Sequence, residues 1–274
     1  MDLNTITAIV RPRRRAELPA WQAGDAWLAG GTWLFSEPQP SLCRFIDVVD
    51  FGWPALQITE QGLQIAATCK IAELDGAAFP SYWTATPLFN QCCRSFFASF
   101  KIWNMATVGG NLCMALPAGP MIALTAALDG TCTIWTPAGD ERRLAVIDFV
   151  LGPQRNALVP GELLRSIALP IAALRRRTAF RQISLAPLGR SAALLIGMLS
   201  PGDGTFDLTV TASTPRPVRL SFAGLPTREA LRERLEAEIQ QYYDDVHGAP
   251  AWRRHMTLQF ADEIRQELAG EGFE

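Results

Sequence analysis

The residues with the clearest chemical potential lie in a short glycine loop near the start of the chain. The segment Leu28–Trp33 follows an apolar run and places Gly30 and Gly31 next to the hydroxyl of Thr32. Two adjacent glycines remove every Cβ from a tight turn, so successive backbone N–H groups can face an anion such as a diphosphate. A plain turn between a strand and a loop would use the same residues, so this segment alone leaves both interpretations open. It matches neither G-x-G-x-x-G nor G-x-x-x-x-G-K-[ST].

A second loop of the same kind lies about 75 residues further along the chain. The segment Asn104–Asn111 again joins two glycines, Gly109 and Gly110, to a threonine, Thr107. It ends on an asparagine, whose amide side chain can hold a loop in place. Two such loops can clamp a long ligand from two sides, and the pair is more informative than either loop alone.

The two loops together resemble signatures of the flavoprotein subunit of the molybdenum hydroxylases. That family includes the medium subunit of carbon monoxide dehydrogenase and the flavin domain of xanthine dehydrogenase. Its patterns A-G-G-T and A-T-[IV]-G-G-N are matched by Ala29–Thr32 and Ala106–Asn111. Shorter family-like segments follow in the same order, at Phe45–Val48, Gln64–Ala67, Pro117–Ala118, Asp148–Phe149, Pro160–Leu164 and Leu169–Pro170. The resemblance therefore covers nearly the whole chain.

The resemblance implies an α+β protein with a two-subdomain FAD-binding fold of the vanillyl-alcohol oxidase (PCMH-like) type, plus a smaller C-terminal α+β domain. In this fold FAD lies between the two subdomains, and the third domain partly covers it. The prediction for this chain is an FAD-binding domain over residues 1–170, with subdomains of about 1–55 and 56–170. Residues 171–274 would form a C-terminal domain of the carbon monoxide dehydrogenase flavoprotein type.

The resemblance also implies individual cofactor contacts. The first loop would wrap the pyrophosphate and the adjoining ribose or ribityl, and the second loop would form the opposite wall. Phe97 would contact the cofactor near the flavin, Leu164 would pack beside the isoalloxazine, and Arg181 would replace a family lysine whose charge stabilises the reduced flavin or positions an acceptor. The predicted contacts are Trp27, Leu28, Ala29, Gly30, Gly31, Thr32, Trp33, Leu34, Phe97, Ala106, Thr107, Gly109, Gly110, Asn111, Leu164 and Arg181.

Two positions depart from the family pattern. Many relatives carry an aspartate shortly after the proline that follows the second loop, where it hydrogen-bonds the cofactor, but Pro117–Pro120 contains no carboxylate. Either a backbone group or water replaces that contact, or FAD is bound more weakly. Trp33 stands where relatives usually have a smaller polar residue or aspartate. It would stack on the cofactor or face a partner subunit.

Composition and charge argue against several other classes of protein. With 25 basic and 27 acidic residues among 274, the chain lacks the basic excess typical of nucleic-acid-binding surfaces. No apolar run is long enough for a transmembrane helix, and the N-terminal charges follow the apolar residues, the reverse of a secretory signal. The six cysteines have no C-x-x-C spacing and the chain has two histidines. We therefore expect no metal on this chain, and reduced thiols in a cytoplasmic protein.

The elements that position the two loops are predicted from periodicity and turn signals. Short strands are expected at Ala26–Ala29 and Arg44–Val49. The segment Pro117–Leu128 is expected to be a helix, because its prolines lie only at its start. The other predicted elements are hairpins of Leu56–Thr59 with Leu63–Thr68 and of Thr131–Trp135 with Arg143–Ile147, strands at Ser191–Met198 and Phe206–Ala212, and helices at Arg228–Tyr243 and Pro250–Leu268.

The resemblance implies an FAD-binding electron-transfer subunit with no catalytic residue of its own. A molybdopterin-binding large subunit and a small subunit with 2Fe-2S clusters would be its partners, and NAD, a quinone or oxygen its acceptor. Two alternatives stay open. One is a stand-alone flavin oxidase; the other is a flavin-free structural subunit of the same fold, which the missing carboxylate near Pro120 makes conceivable.

Overall fold

The N-terminal region of the computed structural model, which describes residues 3–96 and 98–270, forms a small parallel sheet. Its central strand, β3, is flanked by β1 and β2, and both run parallel to it. Asp25 and Arg44 face each other across β2 and β3 and form an ion pair of 2.5 Å at the start of the strand that leads into the first glycine loop. The strands are β1 (Ala8–Val10), β2 (Asp25–Leu28) and β3 (Arg44–Asp47), with 3-10 turns at Arg15–Glu17 and Val49–Phe51.

Residues 56–170 form a five-stranded antiparallel sheet with helices packed against it. The strand order is β4-β5-β10-β6-β7, so the first hairpin pairs with a strand about 100 residues later. The elements are β4 (Leu56–Thr59), β5 (Gly62–Ala66), α1 (Ile71–Asp75), α2 (Pro87–Arg94), α3 (Phe100–Trp103), α4 (Val108–Met114), α5 (Pro120–Ala127), β6 (Thr131–Trp135), β7 (Glu141–Ala145), α6 (Val146–Phe149), β8 (Val150–Gly152), β9 (Arg155–Asn156) and β10 (Leu163–Pro170).

The remaining residues form a four-stranded antiparallel sheet whose strands follow one another in chain order. Side chains alternate across β12, so Leu195 packs with α8 and α9 while Leu194 and Ile196 join the core around α5. Helix α5 is apolar all round and buried at every position, because it lies between this sheet and the preceding helices. The elements are α7 (Ile171–Leu174), β11 (Arg177–Ile183), β12 (Ala193–Leu199), β13 (Phe206–Thr211), β14 (Val218–Phe222), α8 (Arg228–Glu238) and α9 (Pro250–Ala269).

The predicted elements are present with shifted boundaries. Helix α5 begins at Pro120 rather than at Pro117, because Gly119 is its extended N-cap. The second strand of the later hairpin ends at Ala145, since the chain turns into α6 from Val146. Helix α8 ends at Glu238 instead of Tyr243, because the next residue, Ile239, leaves the helical conformation and packs into the core. The N-cap of α8 is Thr227, whose hydroxyl accepts from the Ala230 N–H.

Within the residues that the structure describes, no helix combines the length and the apolar character needed to cross a bilayer.

Candidate functional site

A cavity of about 780 Å³ is lined by residues from the N-terminal region, the five-stranded region and the C-terminal sheet. Its volume lies in the upper part of the range, about 300–1,000 Å³, of pockets that bind small molecules and cofactors. Of the sixteen contacts predicted from the sequence, the cavity brings together thirteen. They are Trp27, Ala29, Gly30, Gly31, Thr32, Trp33, Leu34, Ala106, Thr107, Gly109, Gly110, Asn111 and Leu164.

Two of the other predicted contacts, Leu28 and Arg181, do not line this cavity. Leu28 ends β2 with its side chain in the core, 7% exposed. Phe97 lies outside the described residues. Arg181 does not reach this cavity: it lines a second one of about 390 Å³ and pairs with Glu263 and Glu267 of α9, each at 2.7 Å. Two carboxylates hold its guanidinium group against α9, and its contact with the cofactor stays a prediction.

The first glycine loop supplies a row of backbone donors at the cavity. None of the five N–H groups of Gly30–Leu34 has an acceptor among the described residues. The Phe35 N–H donates to the Gly31 carbonyl at 2.9 Å and closes the loop. Gly31 has a φ of +68°, and a Cβ built on it would lie 2.5 Å from the Phe35 ring, so this turn requires glycine. A row of unused N–H groups at a cavity is a site for an anion.

The second glycine loop has a different structural role. The Gly109 N–H donates to the Ala67 carbonyl at 2.9 Å, and the Gly110 N–H donates to the Thr107 hydroxyl at 3.0 Å, which caps α4. A Cβ on Gly109 would lie 2.7 Å from the Ala67 carbonyl oxygen. These glycines let α4 pack directly against the end of β5, and the N–H groups of Gly109 and Gly110 are already used. This loop forms a rigid wall of the cavity instead of a second row of donors.

Asn111 connects this wall to the start of α5. Its Oδ1 accepts from the Met121 N–H at 3.1 Å, and a Cβ on Gly119 would lie 3.0 Å from the same oxygen. The Asn111 Nδ2 has no acceptor among the described residues, so it remains a donor at the cavity. Where the family pattern has a carboxylate, Ala118, Gly119 and Pro120 contribute only apolar and backbone groups to the cavity.

Two tryptophans form an aromatic wall that is attached to a half-buried ion pair. Trp27 Nε1 donates to the Glu162 carbonyl at 2.7 Å, and the Trp21 ring lies 5.1 Å from the Trp27 ring, both at the cavity. The Glu162 carboxylate accepts two hydrogen bonds from Arg142, at 2.7 and 2.6 Å, and these bonds hold its pKa below the usual value. Arg142 and Glu162 thus support the two tryptophans from behind and do not line the cavity themselves.

Sequence reasoning missed several cavity residues. Arg190 and Ser191 enter it from the loop between β11 and β12, and Trp21 and Glu37 from the N-terminal region. Among the described residues that line the cavity, Arg190 is the one cation and Glu37 the one carboxylate. Arg190 sits in a loop with no periodicity, just before an apolar strand. No local signal indicates which way such a side chain faces.

Few of the side chains that line the cavity are reactive groups. Cys113 lines it, and burial raises the pKa of its thiol to about 12, so the thiol stays neutral near pH 7. In the described parts of the chain, no group of three or more His, Cys, Asp or Glu side chains is arranged to hold a metal ion. The arrangement is suited to binding a long anionic ligand, with donors on one wall and apolar and aromatic surfaces on the others.

Comparison with known proteins shows strong similarities. The family model described as "FAD binding domain in molybdopterin dehydrogenase" matches residues 8–172. The caffeine dehydrogenase subunit beta of Pseudomonas sp. (strain CBB1) is 34% identical over 98 residues, which are 36% of this chain and 33% of that protein. The xanthine dehydrogenase of Oryza sativa subsp. japonica is 29% identical over 121 residues, 42% of this chain. That match spans only 9% of the plant protein.

Solved structures show that the similarity extends to the whole fold. A chain of reconstituted CO dehydrogenase from Oligotropha carboxidovorans superposes with a TM-score of 0.81 at 22% identity, covering 96% of this chain and 98% of that chain. A chain of quinoline 2-oxidoreductase from Pseudomonas putida 86 gives a TM-score of 0.76 at 18% identity, covering 96% of both. These matches confirm the expected α+β fold class, including its C-terminal part.

Proposed function

The chain belongs to the family of FAD-binding domains of molybdopterin dehydrogenases, and on that premise we propose that it is the FAD-binding electron-transfer subunit of a molybdopterin-dependent dehydrogenase complex. FAD is the cofactor of this family, and the proteins that match the chain are dehydrogenases. We also propose which residues of this chain hold FAD, which subunits bind the chain, and which molecules accept electrons from the flavin.

The observation that carries the proposal is the row of unused N–H groups on Gly30–Leu34. FAD contains a diphosphate, and a run of backbone donors in a glycine turn binds such a group without any basic side chain. The Thr32 hydroxyl would add a donor beside this run. Helix α4 and its cap Thr107 would form the facing wall, and Leu164 would offer an apolar surface.

The residues present fit the cofactor despite the missing carboxylate. The Asn111 amide lies next to Gly119 and Pro120 and offers its Nδ2 as a donor. We propose that this amide takes over the polar contact at that wall. The proposed cofactor contacts are the thirteen predicted residues that line the cavity.

When bound, FAD would accept electrons and release them to a second acceptor, and the protein's part is to position and electrostatically tune it. A molybdopterin-binding large subunit and a 2Fe-2S small subunit would be the partners, and NAD, a quinone or oxygen the acceptor. The family match and the caffeine dehydrogenase subunit beta support partners of this kind. We also propose a cytoplasmic location, which is supported by the six free cysteines.

A titration of the purified, flavin-free chain with FAD tests the cofactor site. Gly31→Ala adds a methyl group against the Phe35 ring at a φ of +68°, and Gly52→Ala adds one at a φ of +59° with nothing within 4 Å. Both variants strain the backbone at a positive φ, but only Gly31 lines the cavity. We expect Gly31→Ala to lower the affinity for FAD by at least about tenfold and Gly52→Ala to leave it near wild type. Equal affinities of the two variants would place the site elsewhere.

Co-expression with candidate large and small subunits tests the role in a complex. We expect FAD on this chain to be reduced by the organic substrate only when both partners are present. Reduction of the isolated chain by substrate would instead support a stand-alone flavin oxidase. A colourless chain that takes up no FAD would support a flavin-free structural subunit.

A further inference from the structure

Of the described residues that line the cavity, Arg190 is the one cation, and it belongs to the C-terminal region. Arg190 lies in the loop between β11 and β12, where its side chain is exposed and lines the cavity. It forms no ion pair or hydrogen bond with any residue that the structure describes. We propose that Arg190 is the residue that stabilises the reduced, anionic form of the flavin and thereby sets its reduction potential. This inference rests on the proposed function of the cavity as an FAD site.

The backbone that follows Arg190 is held close to the wall that begins at Pro117. Arg190 is followed by Ser191 and Ala192, and the Ala192 carbonyl is held beside that of Ala212 by the guanidinium group of Arg253. The Ala212 N–H in turn donates to the Pro117 carbonyl at 2.9 Å. The loop that carries Arg190 is thus tied at Ala192 to the start of the wall at Pro117, and the Arg190 side chain lines the same cavity.

Charge balance at this wall supports the same assignment. The stretch Pro117–Pro120 has no carboxylate that could pair with Arg190. The one carboxylate lining the described cavity, Glu37, follows the first glycine loop in the N-terminal region. Within the described part of the chain, Arg190 has no carboxylate partner, whereas Arg181, the cation expected from the sequence, is paired with Glu263 and Glu267.

The chemistry of FAD provides a matching anion. Apart from its diphosphate, the cofactor becomes negatively charged only on reduction, when two electrons and one proton enter the isoalloxazine. The proton binds N5, and the negative charge is shared by N1 and the neighbouring carbonyl oxygen. A nearby cation lowers the free energy of this form relative to the neutral oxidised ring, which raises the reduction potential.

The test compares Arg190→Gln, Arg190→Lys and the control Arg216→Gln in the full chain loaded with FAD. Arg216 is an exposed arginine of the same C-terminal region that does not line the cavity. Two quantities are measured: the dissociation constant for FAD, and the midpoint potential from a dithionite titration with a reference dye. Neither depends on turnover by a complex.

We expect Arg190→Gln to destabilise the reduced form about tenfold, which lowers the midpoint potential by about 30 mV for a two-electron couple. Its affinity for oxidised FAD should stay within about threefold of wild type, and Arg190→Lys and Arg216→Gln should keep the wild-type potential. An unchanged potential in Arg190→Gln overturns the inference. A large loss of FAD affinity at constant potential also overturns it, because Arg190 would then bind the diphosphate. A wild-type chain that takes up no FAD refutes the proposed function itself.

Discussion

Gly30 lies directly against the backbone of Met105, so close that a Cβ built on Gly30 would lie 1.9 Å from the Met105 carbonyl oxygen. The two glycine loops therefore touch through their main chains. The second loop is held in turn by residues 69–71, where the Ile71 N–H donates to the Ala106 carbonyl and Lys70 Nζ donates to Met105 at 3.3 Å. Because Gly30 has no side chain, the first loop can pack against the second loop at the cavity.

Gly30→Ala should disrupt this contact. A methyl group cannot fit 1.9 Å from a backbone oxygen, so the loops must separate, at a cost of about 1–3 kcal/mol. We expect a lower melting temperature and a loss of FAD affinity of at least about tenfold. Gly202→Ala, in an exposed turn with nothing within 4 Å, is the control. Equal FAD affinities of the two variants would show that the loop contact does not shape the site.

Substitutions of Thr107 test how much the cap of α4 stabilises this wall of the cavity. Its side chain is buried, and its hydroxyl accepts from the Gly110 N–H at 3.0 Å. Thr107→Ala removes the cap and should lower the free energy of unfolding by about 1 kcal/mol in urea titrations. Thr107→Ser keeps the hydroxyl, so it should retain most of that stability. A serine variant as unstable as the alanine variant would mean that the methyl group, not the cap, carries the effect.

The Glu162–Arg142 pair should make stability depend on pH. Hydrogen bonds from Arg142 lower the pKa of Glu162 from 4.5, so its contribution is complete above pH 4.5 and is lost as the pH falls through the lower pKa of the folded state. Glu162→Gln should cost about 2 kcal/mol at pH 7, and its difference from wild type should shrink in acid. Glu60→Gln, at an exposed turn, is the control. A difference that stays constant from pH 7 to pH 3 would contradict this account.

The thiols should differ sharply in reactivity. Cys43 is exposed, whereas burial raises the pKa of Cys69, Cys93, Cys113 and Cys132 to about 12. Since the thiolate is the reactive form, we expect one fast-reacting thiol in the native chain at pH 8 and six after denaturation. Cys43→Ser should abolish the fast phase. A fast phase that persists in this variant would show that a buried thiol is accessible.

We propose that the chain is organised as residues 1–170, with subdomains of about 1–55 and 56–170, and residues 171–274. The C-terminal sheet shares a core with the five-stranded region, through Leu194, Ile196, Met198 and Ala212. We therefore expect the two parts to unfold together in a single calorimetric transition. Two well-separated transitions would show that the shared core contributes little to their coupling.

Local signals predicted part of the secondary structure, whereas β10, β11 and β14 were not predicted. The hairpin around Gly62 and the cap at Thr227 depend on residues close in sequence, and both are present. Boundaries shifted where a neighbouring segment intervened, as at Ala145, where α6 begins immediately after the strand. The prolines at the start of the segment indicated helix α5 but not its position between two layers, because burial on all sides depends on elements from both halves of the chain.

The site, like the secondary structure, could be predicted from the sequence only in part. The sequence by itself determined the two glycine loops and the family pattern, because a glycine turn is dictated by adjacent residues. Only the tertiary structure decided that the first loop keeps its donors free while the second uses its own, and that Arg190 instead of Arg181 reaches the cavity. Those outcomes depend on which distant groups compete for each N–H and each guanidinium. Packing brings those groups together, and sequence spacing does not encode their distances.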